Sequence, residues 1–231
     1  MPASAYYKLN NPAWYSLAET HKHFAIGNNA IKLYHDNIAP FVACITDNEE
    51  VLNGLDELIS PGKSFFIIGD LPGLPANYIT ESMLLCVQMI CTAPINLPAT
   101  AVIENLHEAD DAQMISLINL VQPGYYKPQT RLMGNYYGIR NNNALVAITG
   151  ERMRMEGFTE ISAVVTHPDF TGRKYAHQLV SHTVNKNLAE GSIPFLHVAE
   201  TNERAIKLYE HAGFIQRRII AFWKIKRQVD L

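Results

Sequence analysis

The sequence predicts an α/β protein of two domains, and three observations carry the prediction. Apolar residues alternate along some stretches and recur at helical spacing along others. Turns rich in asparagine or glycine join neighbouring stretches as hairpins. A break holding Pro94 and Pro98 separates two halves of different composition. The expected domains are residues 1–98, a smaller α/β unit, and residues 99–231.

In the first half, the pattern predicts a helix over residues 11–24 and strands over residues 41–45 and 64–68. Residues 76–91 read as either a helix or paired strands. Residues 69–75, with Gly69, Pro72, Gly73 and Pro75, form a turn-rich loop. Pro61-Gly62-Lys63-Ser64 has the end of a phosphate-binding P-loop, but Glu57 stands where that motif needs its first glycine. Residues 30–34 repeat the letters of residues 205–209, yet no Gly-Phe follows and Pro40 ends the stretch, so a strand is expected rather than a duplicated motif. A diverged acyltransferase-like half remains open for this domain.

In the second half, the alternation becomes regular. A strand over residues 101–106 leads to a helix over 109–121, then strands over 135–140, 144–153 and 158–166. Asn141, Asn142 and Asn143 make a strong hairpin signal, because asparagine tolerates positive φ, and Gly157 marks a second hairpin. From Lys174 the apolar positions follow a helical period that Gly191 closes. A strand over 195–199 follows. Asn202 is a good N-cap with Glu203 in the first turn, and Gly213 suits a left-handed C-terminal position before a strand over 219–225.

Composition removes several function classes. With 231 residues and 48% apolar content, the chain can bury a substantial core. Its 19 basic and 22 acidic residues leave a net charge of -3, so no bulk field draws it to nucleic acid or to an anionic membrane. Any phosphate site must be local. Cys44, Cys86 and Cys91 include no CxxC pair, which indicates neither a disulfide framework nor a zinc site, and no metal is expected. The first residues lack a basic region leading into an apolar run. The strongest apolar stretch, residues 83–91, is interrupted by Gln88 and too short to span a bilayer. A cytoplasmic protein with no membrane partner is the expectation.

Two segments carry the chemistry. Val164-Val165-Thr166-His167-Pro168-Asp169-Phe170-Thr171-Gly172-Arg173-Lys174-Tyr175-Ala176 reads as a strand, a glycine turn and a helix start, which aims main-chain N–H groups and a positive helix end at an anion. Asn202 through Tyr209 to Gly213-Phe214 reads as a short capped helix with a tyrosine near its end. With Glu160 preceding them, their order and spacing resemble the core of the GNAT superfamily of acyl-CoA-dependent N-acyltransferases. The similarity spans residues 158–226 and is strongest to the branch containing the C-terminal domain of glycine N-acyltransferase-like proteins.

That resemblance implies a GNAT-type mixed, mostly antiparallel central sheet flanked by helices. It also implies acetyl-CoA or a short acyl-CoA as co-substrate and transfer to a primary amine on a small molecule or peptide. In the family the strand here spanning residues 160–166 is bulged and diverges from its neighbour, so Val164, Val165 and Thr166 would bond the pantetheine arm through their main chain. Thr171, Gly172, Arg173, Lys174, Tyr175 and Ala176 would wrap the pyrophosphate, and Asn202 would cap its helix and reach the pantetheine. The family loop pattern has Arg or Gln at the position of Thr171 and glycine at that of Lys174. The lysine fits if its φ and ψ are helical.

N-acylation needs one base for the amine and one acid for the departing sulfur. By the resemblance, Tyr209 is the acid and Glu160 the base. The N–H of Val165 or a neighbour would hold the oxyanion. His167 lies in the turn after the strand, where family positions act structurally. Tyr125, Tyr126, Tyr136 and Tyr137 concentrate aromatic surface where the family places its acceptor site. Direct transfer is expected, since no cysteine lies in either segment. The rival reading is a non-catalytic acyl-CoA sensor or interaction module on the same fold. Acceptor identity and oligomeric state are open from sequence.

Overall fold

Contacts divide the chain into Met1–Cys86 with Ile219–Leu231, and Val87–Arg218, in a computed structural model that describes residues 3–45, 53–98 and 100–229. Composition placed the domain boundary near residue 98, beside Ala99, which lies outside the described residues. The contact boundary falls earlier because a strand spanning Tyr78–Ile90 begins in the first unit and ends in the second. The last strand, Ile215–Arg227, returns the chain to the first unit.

In the first unit, the expected helix over residues 11–24 is cut short. Helix α1 (Pro12–Ala18) starts where the Asn11 side chain accepts from Trp14 N at 3.3 Å, with Pro12 in the first turn. It ends at Glu19, and a separate 3-10 turn covers Lys22–Phe24. Buried His21 explains the break, because its Nδ1 lies 3.0 Å from both Ser16 Oγ and Tyr34 Oη, which fixes the chain after α1 against the next strands. Strands β1 (Ala25–Gly27), β2 (Ile31–Tyr34) and β3 (Val42–Cys44) form an antiparallel sheet. Strand β4 (Ser64–Ile68) pairs antiparallel with residues 222–226. Residues 76–91 hold a single long strand, β5 (Tyr78–Ile90), where a helix or a strand pair was expected. The core gathers Ile31, Leu33, Val42, Leu55, Phe65, Ile67, Tyr78 and Ile225.

In the second unit, the expected order of elements is present. It comprises β6 (Glu104–Leu106), α2 (Asp111–Val121), β7 (Tyr136–Asn141), β8 (Ala144–Met155) and β9 (Phe158–Thr166). Then come α3 (Tyr175–Ala189), β10 (Ile193–Ala199), α4 (Glu203–His211) and the first residues of β11 (Ile215–Arg227). Asn142 and Asn143, at φ 49° and 65°, make the two-residue turn between β7 and β8, and Gly157 at φ 83° closes the next hairpin. The sheet runs β11, β5, β10, β9, β8, β7, β6. Pairs β6–β7, β7–β8 and β8–β9 are antiparallel, and β9–β10 is parallel.

Consecutive strand residues point to opposite faces, and the two helical layers use that alternation. Tyr136 and Ile148 pack with Met114, Leu117 and Ile118 of α2. Tyr137 and Ala147 pack with Leu179 of α3. Tyr136 can lie flat over β8 only because residue 150 is glycine, since a Cβ there would come within 2.1 Å of its ring. Gly150→Ala should therefore destabilise the protein by about 1–3 kcal/mol through overpacking, read as a lower urea midpoint with an unchanged slope.

Candidate active site

The parallel ladder between β9 and β10 is short. It pairs Phe158 with Ile193, Thr159 with Pro194 and Glu160 with Phe195, and stops there. On its other edge β9 is bulged: Ile148 faces Val165 and Gly150 faces Ser162, so Ala163 and Val164 together oppose Thr149. Ala163 takes φ 51°, the left-handed conformation that accommodates the extra residue. The bulge changes which residues share a face. Ile161 and Val164 pack on the α3 side, and Ala163 and Val165 on the α2 side.

The ladder beyond the bulge narrows the main-chain candidates. His167 N donates to Val146 O at 2.8 Å, and Val165 is in register with Ile148. Antiparallel alternation then turns the N–H of Val165 toward β8, and those of Val164 and Thr166 toward the side where β9 leaves β10. Of the expected oxyanion donors, Val165 or a neighbour, the neighbour Thr166 has its N–H turned away from β8.

The loop after β9 combines two left-handed residues with a helix start. His167 Nδ1 accepts from Asp169 N at 3.2 Å, opening a 3-10 turn over Pro168–Phe170. Thr171 is extended, Gly172 takes φ 79°, and Arg173 stacks its guanidinium 4.8 Å over the Phe170 ring. Lys174 is the N-cap residue of α3 at φ 59° and ψ 19°, so it is left-handed and does not meet the condition of a helical φ and ψ under which a lysine would fit without strain. It takes the geometry a glycine would supply. A Cβ on Gly172 would meet no atom within 4 Å, so this glycine answers to its φ rather than to crowding. Tyr175 and Ala176 form the first turn of the helix.

Glu160 is fully buried and held on several sides. Arg152 donates to both of its oxygens, Nε to Oε2 at 2.8 Å and Nη2 to Oε1 at 2.6 Å. His197 Nδ1 lies 2.7 Å from Oε1, and Met153 N reaches Oε2 at 3.4 Å. Burial alone would raise its pKa, but the Arg152 charge and the bonds from Arg152 and His197 outweigh it and hold the carboxyl at about 2. A carboxylate so weakly basic and so enclosed is a poor proton acceptor, and its contacts are those of a buried anchor. His197 is lowered below its usual value by burial, against the pull of Glu160. Its Nε2 lies 2.9 Å from Gln88 Nε2, and Gln88 Oε1 accepts from Arg217 Nη1 at 2.6 Å.

Tyr209 sits near the end of α4, where the Asn202 side chain caps the helix by accepting from Ala205 N at 3.1 Å. The phenol is pushed up to about 12 by burial, so it holds its proton at neutral pH. Its ring meets Phe214 edge-on at 5.8 Å and packs with Ile161, Leu196 and Val198. The four tyrosines expected near an acceptor do not share one wall. Tyr125 is exposed, Tyr126 packs edge-on against Tyr136 on the α2 side, and Tyr137 stacks on His182 of α3.

Arg152, His197, Gln88 and Arg217 were not singled out from sequence. Gln88 and His197 carried a signal as polar residues among apolar neighbours, whereas Arg152 and Arg217 lie among other polar residues and carried none. A cavity of about 280 Å³ lies elsewhere, between Leu97, Ile103 and the middle of α3, and shares no residue with the two motifs. Among the described residues, no group of three or more His, Cys, Asp or Glu side chains is placed to hold a metal ion, and no helix is long and apolar enough to cross a membrane.

Residues 136–223 match the family model described as FR47-like protein. A protein from Novosphingobium aromaticivorans, assigned to the GNAT family of acetyltransferases, superposes with a TM-score of 0.88 at 27% identity over 96% of this chain and 100% of its own. A GCN5-related N-acetyltransferase from Kribbella flavida superposes with a TM-score of 0.61 at 12% identity over 92% of this chain and 93% of its own, a likeness of fold alone. No curated protein matches the chain in sequence. These likenesses speak for the superfamily and leave the glycine N-acyltransferase-like branch without support of its own.

Two outcomes follow from the geometry. Lys174→Gly should stabilise the protein by about 1 kcal/mol, because it relieves a left-handed non-glycine residue, and thermal unfolding would read it. Acidification should destabilise the protein in two steps of the same sign. His197, lowered from 6.5 in the folded state, loses its contribution as pH falls below that value. Glu160, lowered from 4.5 to about 2, loses its own across that lower window. The Glu160 step is worth about 3 kcal/mol, and urea titrations at stepped pH should show it vanish in Glu160→Gln.

Proposed function

We propose that this chain, a member of the GNAT superfamily, is an N-acetyltransferase that moves an acetyl or short acyl group from acetyl-CoA to a primary amine. The reading is carried by the divergence of β9 from β10 immediately after Glu160, with the bulge at Ala163 beside it. A strand that leaves its parallel neighbour presents unpaired-side main-chain groups to an extended ligand. The pantetheine arm fits that edge, at Val164 and Thr166. The left-handed pair Gly172 and Lys174 at the start of a 15-residue helix fits an anionic pyrophosphate, with Thr171, Arg173, Tyr175 and Ala176 around it. Acetyl-CoA supplies an activated thioester when bound.

The chain's own residues divide the remaining work. Tyr209 keeps its proton at neutral pH and is the donor to the departing sulfur. Val164 or Thr166 N–H steadies the developing oxyanion from a fixed main-chain position. Glu160 stays ionised and bound, so the acceptor reacts as free amine and its proton leaves through water. The acceptor is a small molecule or a peptide. A non-catalytic sensor on the same fold would share the coenzyme site and lack turnover.

Coenzyme A at millimolar concentration should raise the thermal midpoint of the protein, and the absence of any shift would sink both readings. Thiol release from acetyl-CoA across an amine panel separates enzyme from sensor. Tyr209→Phe should lower kcat by about a hundredfold with little change in coenzyme affinity. The kcat/KM profile should rise with pH until the pKa of the acceptor amine itself. A plateau set by a group titrating near pH 4 to 5, in the ordinary carboxylate range, would restore Glu160 as the base.

A further inference from the structure

Five side chains, each from a different strand, form one hydrogen-bonded row across the second unit: Arg152 on β8, Glu160 on β9, His197 on β10, Gln88 on β5 and Arg217 on β11. Donor and acceptor directions in this row are fixed from its ends. A guanidinium only donates, so Arg217 Nη1 at 2.6 Å requires the oxygen of Gln88. That turns the Gln88 amide nitrogen to His197 Nε2 at 2.9 Å. An amide NH2 also only donates, so Nε2 must carry the lone pair and the ring proton sits on Nδ1. Nδ1–H then donates to Glu160 Oε1 at 2.7 Å, and Arg152 donates to the same carboxylate from the other strand. Both ends of the row are guanidinium groups, which only donate.

Its position gives it another use. Glu160 and Phe195 are the last main-chain pair of the β9–β10 ladder, and His197 lies two residues beyond. The ring therefore reaches back across the strands at the first step where main-chain pairing has ended. We propose that the row is a latch, in which Arg217 and Gln88 are positioning residues that keep His197 a neutral ring with its proton on Nδ1, so that the bond to Glu160 sets how far β9 and β10 part. The tautomer follows from the geometry alone, while its effect on coenzyme binding rests on the acetyl-CoA reading above.

Nitrogen-15 shifts of the histidine ring, read on the whole chain without ligand, test the tautomer. The signal of His197 is the one lost in His197→Gln. A protonated-type Nδ1 and a lone-pair-type Nε2 are expected in the natural sequence. Arg217→Met loosens the Gln88 amide, whose oxygen can then face Nε2, and should leave part of the His197 population doubly protonated at neutral pH, whereas Arg217→Lys keeps a donor and should restore the neutral ring. Gln88→Glu offers Nε2 only an acceptor and should leave both nitrogens protonated at neutral pH. An Nε2–H, Nδ1-bare ring in the natural sequence would overturn the assignment, and an Nε2 that keeps its lone pair in Arg217→Met would overturn the positioning role of Arg217. Should Gln88→Glu not fold, the two Arg217 variants carry the test.

Calorimetry with coenzyme A completes it. Arg217→Met should bind about tenfold more weakly, the worth of about one hydrogen bond, and Arg217→Lys should recover. Unchanged affinity in a variant whose ring has demonstrably gained the proton on Nε2 would refute the latch. Failure of the natural sequence to bind coenzyme A would instead refute the acetyl-CoA reading and with it the use of the latch, and would leave the ring assignment intact.

Discussion

An ionised carboxylate with no exposed surface must be compensated where it stands, and Glu160 imposes that requirement on the second unit. Arg152 meets it with two hydrogen bonds from the neighbouring strand, which works only because β8 and β9 slip register between Glu151 and Arg154. The irregularity lets Arg152 and the main chain of Met153 face one carboxylate. Removing either partner of such a pair leaves a buried charge, which costs about 3–5 kcal/mol. The positions of β8, β9 and β10 relative to one another are therefore tied to a single side chain.

This requirement and the opening beside it are in tension, and the two bulges resolve it. Glu160 draws the strands together, whereas their main-chain ladder ends at that same residue. Main-chain pairing between β9 and β10 ends at Glu160, the side-chain contact to His197 takes over, and Ala163 then turns β9 through a left-handed residue. The same turn carries Ile161 and Val165 to opposite faces, so that each packs under a different helix. A carboxylate serving as anchor here is not also available as a base. Tyr209, pushed up to about 12 by burial, keeps its proton at neutral pH.

Local rules were the readable part of the sequence. Asn142 and Asn143 announce a two-residue turn by residue type alone, and the Asn202 cap needs only its own helix. The break after α1 was not readable, because it depends on His21 meeting Ser16 and Tyr34, one of them from a later strand. The division into contact units was hidden for a similar reason: the last strand returns residues 219–231 to the first unit across the whole length of the chain. The polar row was half visible. Gln88 stood out as an interruption in an apolar stretch, but its partners His197 and Arg217 lie more than a hundred residues away, at separations of 109 and 129.

The loop at Thr171 to Ala176 shows where residue letters and geometry part company. Judged by letters, Lys174 departs from a pattern that asks for glycine. Its backbone sits at φ 59° and ψ 19°, which is where glycine is favoured and other residues pay roughly 1 kcal/mol or more. The chain has kept the conformation and accepted the strain. In exchange it places an ammonium group at the start of a helix whose end already favours anions, next to Arg173 held by the Phe170 ring. Nearby, His177 is held below its usual value by burial and by the Lys174 and His211 charges, so the ring is biased toward neutrality and the local positive charge rests on Arg173 and Lys174. A loop that binds phosphate through main-chain N–H groups depends on φ and ψ first and on side chains second. Lys174 holds the left-handed geometry at the start of the helix and adds charge there.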